Sequence, residues 1–223
     1  PIASFYGYKY IGVFQSEEEL AKYPHLSGDK VGDGRYEDVN KDGVLDQNDK
    51  TILGDNNPLF TAGFSNSFSY KNFTLDIQFT GSYGAEVFSF YKRMCGIYHG
   101  DRNGMIEQLG RWQSKDQPGD GIHFRPTRTP SGWQRDPSSA WVQDASYLRL
   151  RNLTLGYNFD QKVLDKMKMK GLRLYVTGQN LFTITNYVGY DPETSSESGL
   201  AQGGDYLGYP AARSFIIGAN ITF

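Results

Sequence analysis

Cysteine is almost missing from this chain. Its 223 residues include one, Cys95, so an internal disulfide framework and a CxxC metal site are both excluded. Histidine is nearly as scarce. His25, His99 and His123 lie far apart and lack the HxxxH or HxE spacing of a metal or acid–base pair. There is no G-x-S-x-G elbow, no phosphate-cradling glycine loop and no dinucleotide fingerprint, and the acids form no pair that stands out, so the chain reads as a non-enzyme. Neither sign of charge dominates: 23 Lys and Arg face 25 Asp and Glu, for a net charge of -2. That balance, with no basic run, excludes binding to nucleic acid by bulk charge. Apolar runs stop at about five residues, far short of the roughly 18 that a membrane helix requires. The chain opens at Pro1 with neither Met nor a signal peptide, and is expected to be a piece of something longer.

Aromatics and glycine are plentiful. Aromatic residues make up 15% of the chain, with 16 Tyr, 14 Phe and 26 Gly, a composition that suits an all-β, turn-rich fold. The dominant pattern is alternation with a period of two, which puts every second side chain on one face of a strand. In Phe60–Tyr70 the even positions carry Phe60, Ala62, Phe64, Phe68 and Tyr70, and the odd ones carry Thr, Gly and Ser. Phe73, Leu75, Ile77 and Phe79 repeat the pattern, as do Leu153, Leu155 and Tyr157, then Leu172, Leu174 and Val176, then Phe215, Ile217, Ala219 and Ile221. Strands are predicted over about 60–70, 73–83, 146–159, 172–182 and 214–223. Leu148 and Leu150 are out of phase with Leu153, which predicts a bulge or a change of environment near Asn152.

Each of these strands is about ten residues long, the length that crosses a bilayer at a tilt and longer than the usual five or six. Periodicity alone does not separate a barrel from a soluble sandwich. The connections favour the barrel. Lys71 and Asn72 form a two-residue hairpin turn, with Asn able to adopt the left-handed conformation. The links over 84–145 and 183–213 are long, that over 160–171 is short, and a long segment, 1–59, precedes the first strand. Alternation of long and short links is the signature of outer-membrane barrels, with long extracellular loops and short periplasmic turns. The expected architecture is all-β: the C-terminal strands of a large antiparallel transmembrane β-barrel, ending in an aromatic, Phe223. Five strands do not close a ring, so other chains or a longer barrel must complete it, and the start at Pro1 favours the longer barrel.

Several stretches together resemble one family. They are Phe5-Tyr6-Gly7-Tyr8-Lys9-Tyr10 with Gly12-Val13-Phe14, Gly32-Asp33, Asp38-Val39-Asn40-Lys41-Asp42-Gly43, Thr51-Ile52-Leu53-Gly54, Phe68-Ser69-Tyr70-Lys71-Asn72-Phe73, Gly81-Ser82-Tyr83-Gly84, Asp144-Ala145-Ser146-Tyr147-Leu148-Arg149-Leu150-Arg151-Asn152-Leu153-Thr154-Leu155-Gly156-Tyr157, Gly178-Gln179-Asn180-Leu181-Phe182, Gly189-Tyr190-Asp191-Pro192 and Tyr209-Pro210-Ala211-Ala212-Arg213-Ser214-Phe215. In combination they resemble the C-terminal end of a SusC/RagA-type TonB-dependent outer-membrane transporter of the Bacteroidetes. The resemblance implies a barrel of roughly 22 strands with a plugged lumen, set in outer-membrane lipid and closed outside by a SusD-like lipoprotein. It also implies import of glycan or peptide cargo, driven through TonB by an N-terminal part that this chain lacks.

One loop carries metal-binding chemistry. Asp38, Asn40, Asp42, Val44, Asp46 and Asp49 fall at positions 1, 3, 5, 7, 9 and 12 of a D-x-[DN]-x-[DN]-G pattern, with Gly43 at the sharp turn. Side-chain oxygens at those offsets, with the Val44 carbonyl, make a Ca²⁺-type site, closer to the dockerin loop than to the EF-hand because the last ligand is Asp. A structural Ca²⁺ is expected there; the competing reading is an acidic turn held by Asx hydrogen bonds. The loop also suggests a second class of function, a secreted calcium-stabilised adhesion or scaffold module or a carbohydrate-binding β module.

Ser16-Glu17-Glu18-Glu19 reads as a capping box opening a helix that runs to Tyr23 and stops at Pro24. One or two helical stretches are expected within 86–112, as loop ornament or as a contact surface for a lid protein. Trp141 is assigned to the aromatic girdle, and Trp112 and Trp133 to loops, packed locally or stacked on sugar. Arg149 and Arg151 are expected to point into the lumen, where they either tune cargo or pair with carboxylates.

Overall fold

A computed structural model describes residues 3–96, 103–127, 137–194 and 202–223. Trp133 and His99 lie outside the described residues. The chain divides into two compact units, one of 58–85, 144–193 and 209–223, the other of 1–57, 86–143 and 194–208. In chain order the strands are β1 (Ser4–Tyr8), β2 (Tyr10–Val13), β3 (Gly34–Tyr36), β4 (Lys50–Asp55), β5 (Phe60–Tyr70), β6 (Phe73–Tyr83), β7 (Glu86–Ser89), β8 (Val142–Asp144), β9 (Tyr147–Asn158), β10 (Gly171–Thr185), β11 (Gly204–Asp205) and β12 (Ser214–Thr222). The helices are α1 (Glu17–Lys22), α2 (Phe90–Gly96) and α3 (Gln161–Met167).

The first unit is one sheet in the order β12-β10-β9-β6-β5, with every pair antiparallel. Its register follows from the alternation. Residues directly opposite each other share a face, and the ladder sets Phe64 opposite Phe79, Phe68 opposite Leu75, Leu75 opposite Leu155, Leu155 opposite Val176 and Val176 opposite Ile217. One face is therefore apolar across all five strands, and it is uncovered: Phe64 is 57% exposed, Leu155 51% and Ile217 83%. Exposed apolar area on this scale marks an interaction surface, and five strands with oily side chains outward fit hydrocarbon. The five predicted strands coincide with β5, β6, β9, β10 and β12, with ends that differ by up to three residues.

The break of phase in β9 is a bulge. Gln78 faces Asn152 and Phe79 faces Leu150, so Arg151 is an extra residue. It returns Leu148 and Leu150 to the face of Leu153 and Leu155. The next strand carries a larger irregularity: Gln179 faces Asn152 and Phe182 faces Leu150, with Asn180 (φ 50°) and Leu181 between them. From β6 to β9 to β10, the matched pairs Ile77/Phe79, Leu153/Leu150 and Gly178/Phe182 lie two, three and four positions apart.

The short turn between β5 and β6 differs in detail from expectation. The left-handed residue is Lys71 (φ 52°). Asn72 instead donates through Nδ2 to Asp160 Oδ1 at 2.7 Å and accepts from Asn158 N at 2.8 Å, which binds this turn to the β9–β10 connection. That connection holds α3, which the sequence reading missed. Lys168, left-handed at φ 52°, ends it by donating its backbone N–H to Asp165 and Leu164.

The second unit contains the two-stranded pairs β1–β4 and β2–β3 and the small sheet β11-β7-β8. Its core is aromatic. Val13, Phe88, Phe124 and Trp141 form one buried cluster, and Tyr8, Tyr36 and Leu45 another. The predicted capping box is half formed: Ser16 Oγ accepts from Glu19 N at 3.2 Å, but the Glu19 carboxylate accepts from Gln15 N at 2.9 Å, one residue before the cap, and α1 ends one residue before Tyr23. Within 86–112, α2 and a 3₁₀ turn over Ile106–Gly110 supply the expected helical stretches. Among the described residues no helix is long and apolar enough to cross a membrane.

A charge on the uncovered face tests its solvent. In the full-length receptor folded in liposomes, Leu155→Arg is expected to cost about 2–4 kcal/mol. Ser69→Arg on the opposite face is expected to stay within about 0.5 kcal/mol. Urea titrations read by heat-modifiable gel mobility measure both; equal costs contradict the assignment.

Candidate functional site

The other face of the five-stranded sheet is polar and holds a network of linked ion pairs. Arg149 and Arg151 stand on β9, both on this face, and Arg151 is the bulge residue. The arm leaving β10 brings Asp191 and Glu193 to them. Arg149 Nη2 lies 2.5 Å from Asp191 Oδ1, its Nη1 2.6 Å from Glu193 Oε2, and its Nε donates to Thr183 Oγ1 on β10 at 2.8 Å. Arg151 pairs with Glu193 Oε1 and donates through Nε to Thr80 Oγ1 on β6 at 3.0 Å. The hydroxyl of Tyr147 donates to the same Glu193 carboxylate. The network has a sealed half and an open half: the Arg149 side chain is 3% exposed and that of Arg151 33%. Of the two roles expected for these arginines, pairing with carboxylates is the one observed.

Burial alone would raise the pKa of Asp191. The hydrogen bond and charge of Arg149, with the N–H groups of Ala211 and Glu193, outweigh that and hold its carboxyl below the usual carboxylate value. The contribution is therefore present at neutral pH and is lost as pH falls through the lowered pKa.

A third arginine spans the sheet further along. Arg173 on β10 crosses Gly156 on β9 to reach Thr74 Oγ1 on β6 at 3.2 Å and Asp76 at 3.8 Å. Gly156 makes the slot: a Cβ there would lie 2.5 Å from Thr74 Oγ1 and 2.8 Å from Arg173 Nε. Asp76 in turn accepts from Ser67 Oγ on β5 at 2.6 Å.

The acidic loop closes on itself. Asp38 accepts from Lys41 N at 2.6 Å and Gly43 N at 2.8 Å, with Gly43 at φ 84°. Asp42 accepts from Val44 N at 2.8 Å, and Asp46 from Asn48 N at 2.7 Å. Asp49 is fully buried and accepts from Val39 N at 2.9 Å and Asp46 N at 2.8 Å. Asn40 turns its amide NH₂ toward Asp42 Oδ2 at 2.8 Å. The donor set is all oxygen, as a hard cation requires, yet these carboxylates point at N–H groups. Among the described residues no three His, Cys, Asp or Glu side chains gather to hold a metal. The arrangement is that of an Asx-bonded turn.

Trp141 corrects an expectation. It is 4% exposed, 6.1 Å from Phe124 ring to ring, and belongs to the core of the loop unit; its place just before a strand suggested the girdle, but its large apolar ring is buried there with Phe88 and Phe124. Trp112 packs against the same cluster, which is the local packing that sequence offered as one of its two roles.

An open antiparallel sheet with one oily face, one hydrogen-bonded polar face and unpaired edges at β5 and β12 is a wall segment of a transmembrane β-barrel. Comparison with known proteins gives the particular family. No protein-family model matches the chain. It is 35% identical over its whole length to TonB-dependent receptor P3 of Formosa agariphila and 33% identical over 98% of its length to TonB-dependent receptor P26 of the same organism, spanning 22% of each. It is 28% identical over 84% of its length to the TonB-dependent receptor SusC of Bacteroides thetaiotaomicron, spanning 17% of it. The RagAB peptide importer in its open-open state superposes with a TM-score of 0.74 at 22% identity, over 99% of this chain and 22% of that one. The chain belongs to the SusC/RagA-type TonB-dependent receptors of the bacterial outer membrane, and it spans about a fifth of the length of the curated relatives it matches.

The two halves of the arginine network differ in what a deletion leaves behind. Arg149→Ala leaves the half-buried Asp191 without its charge partner, while Glu193 keeps Arg151 and Tyr147, and is expected to cost about 3 kcal/mol. Arg151→Ala, at the wetter end, is expected to cost about 1 kcal/mol or less. The same urea titration separates them.

Proposed function

We propose that this chain is part of the wall of an outer-membrane importer that takes up oligosaccharides or peptides with a SusD-like lipoprotein as its lid, driven through TonB by an N-terminal part of the receptor. The observation that supports this most is the sheet itself: five long strands with an apolar face outward and a polar, charge-balanced face inward. A wall of this kind does no bond chemistry, and its work is to hold a lumen open in lipid and to carry loops at its rim. RagAB is a peptide importer, and that points to peptide as one cargo class; glycan remains the other. The test is uptake by cells carrying the full-length receptor. Deleting the receptor, or TonB, is expected to abolish growth on one cargo class. Normal growth of both strains on every glycan and peptide mixture contradicts the reading, as does release of the receptor from cells without detergent.

We also propose that the acidic loop takes one structural Ca²⁺, through Asp38, Asn40, Asp42, the Val44 carbonyl, Asp46 and Asp49. The support is the order of oxygen donors around Gly43 and the hydrogen bonds that preshape the backbone. Taking the ion requires Asn40 to turn its amide oxygen inward and Asp38 and Asp42 to exchange N–H contacts for the cation. Calorimetry on the detergent-solubilised full-length receptor is expected to show binding at or below millimolar Ca²⁺, weakened at least about tenfold by Asp42→Asn. No heat at millimolar Ca²⁺ refutes it.

A further inference from the structure

Asp191 does more than pair with an arginine. Its Oδ1 takes Arg149 Nη2 at 2.5 Å and the backbone N–H of Glu193 at 3.0 Å, and its Oδ2 takes the backbone N–H of Ala211 at 3.0 Å. One carboxylate thus meets β9, the arm leaving β10 and the arm entering β12. Arg149, its partner, is sealed from water and fixed independently by Thr183 on β10. A fixed charge in a dry site makes a strong anchor, because water does not compete for it.

We propose that Asp191 is a positioning residue: its carboxylate clasps the two ends of the β10–β12 link to the buried Arg149, and so sets where that link leaves the inner wall of the barrel. This reading goes beyond importer function and holds whatever the cargo.

A second, weaker clasp serves as a contrast. Asn180, the left-handed bulge residue of β10, donates through Nδ2 to Ala212 O at 3.0 Å. It touches only the entering arm. The two clasps therefore predict different patterns: loss of Asp191 loosens both arms, with the leaving arm still tied at Glu193, whereas loss of Asn180 loosens the entering arm alone.

The clasp also has a pH signature. The groups that face Asp191 are Arg149, with Arg151 and Tyr147 behind Glu193, all three on β9, and Glu193 on its own arm. β10 offers the Thr183 hydroxyl, and the entering arm offers the Ala211 N–H. Because the Asp191 carboxyl is held below the usual carboxylate value, the clasp is expected to stay closed through the ordinary aspartate range and to open only in stronger acid, as pH falls through the lowered pKa.

The experiment uses the full-length receptor in liposomes with Cys95 replaced by Ser and a nitroxide on Val188→Cys in the leaving arm or on Tyr209→Cys, where the native side chain is 95% exposed, in the entering arm. At pH 7, Asp191→Asn is expected to shorten the rotational correlation time at both labels about threefold, within the nanosecond range of loop motion. Asn180→Ala is expected to do so at 209 alone. The otherwise native receptor is expected to keep its spectra at both labels down through the ordinary aspartate range, about pH 4. Unchanged spectra in Asp191→Asn overturn the proposal, and so does a native receptor that loosens between pH 5 and 7. If Asp191→Asn fails to reach the folded band on a gel, the acid titration of the native receptor decides by itself.

Discussion

A peptide group in hydrocarbon has no water to fall back on. Every N–H and C=O that enters the bilayer must find a partner in the protein, at a penalty of several kcal/mol for each one left bare. The ladder of β5, β6, β9, β10 and β12 meets that demand between its strands, leaving only the outer edges of β5 and β12 to be paired by neighbouring wall, and the rest of this chain depends on it. Once the backbone is committed to strands, the period of two decides the side chains. Phe64, Leu155, Val176 and Ile217 go to one side, and Thr80, Arg149, Thr154 and Thr177 to the other.

The departures from the ladder have their own logic. The extra residue Arg151 gives β9 two successive positions on the polar face, so a second guanidinium reaches Glu193 while Leu148 and Leu150 keep their place on the apolar face. The bulge at Asn180 lets an amide turn toward the entering arm. Bulges commonly re-aim a side chain in this way, and here they arrange the polar wall at the same level on two neighbouring strands.

What the sequence disclosed and what it concealed divide along physical lines. The five strands and the β9 bulge were legible because a period of two is local, and a slip of phase between Leu150 and Leu153 shows on the strand that carries it. The bulge in β10 was hidden because Gly178 and Phe182 keep the same phase across it. The charge partners were hidden for another reason. Arg149 and Asp191 are 42 positions apart, and only folding shows that Asp191 and Glu193 return to β9. Trp141 misled because a tryptophan beside a strand looks the same whether it meets a membrane surface or a core. The aromatic core around Val13, Phe88 and Phe124 draws on three distant stretches and has no periodic trace.

Arg173 carries a mechanical consequence. Stretched over Gly156, it ties β10 to β6 across the strand between them. Ladder hydrogen bonds join only nearest neighbours and yield if strands slide lengthwise by a register step. A side chain fastened two strands away opposes that sliding directly, as a diagonal strut stiffens a frame of parallel rails. The wall is braced against shear at a place where a missing Cβ leaves room for the strut.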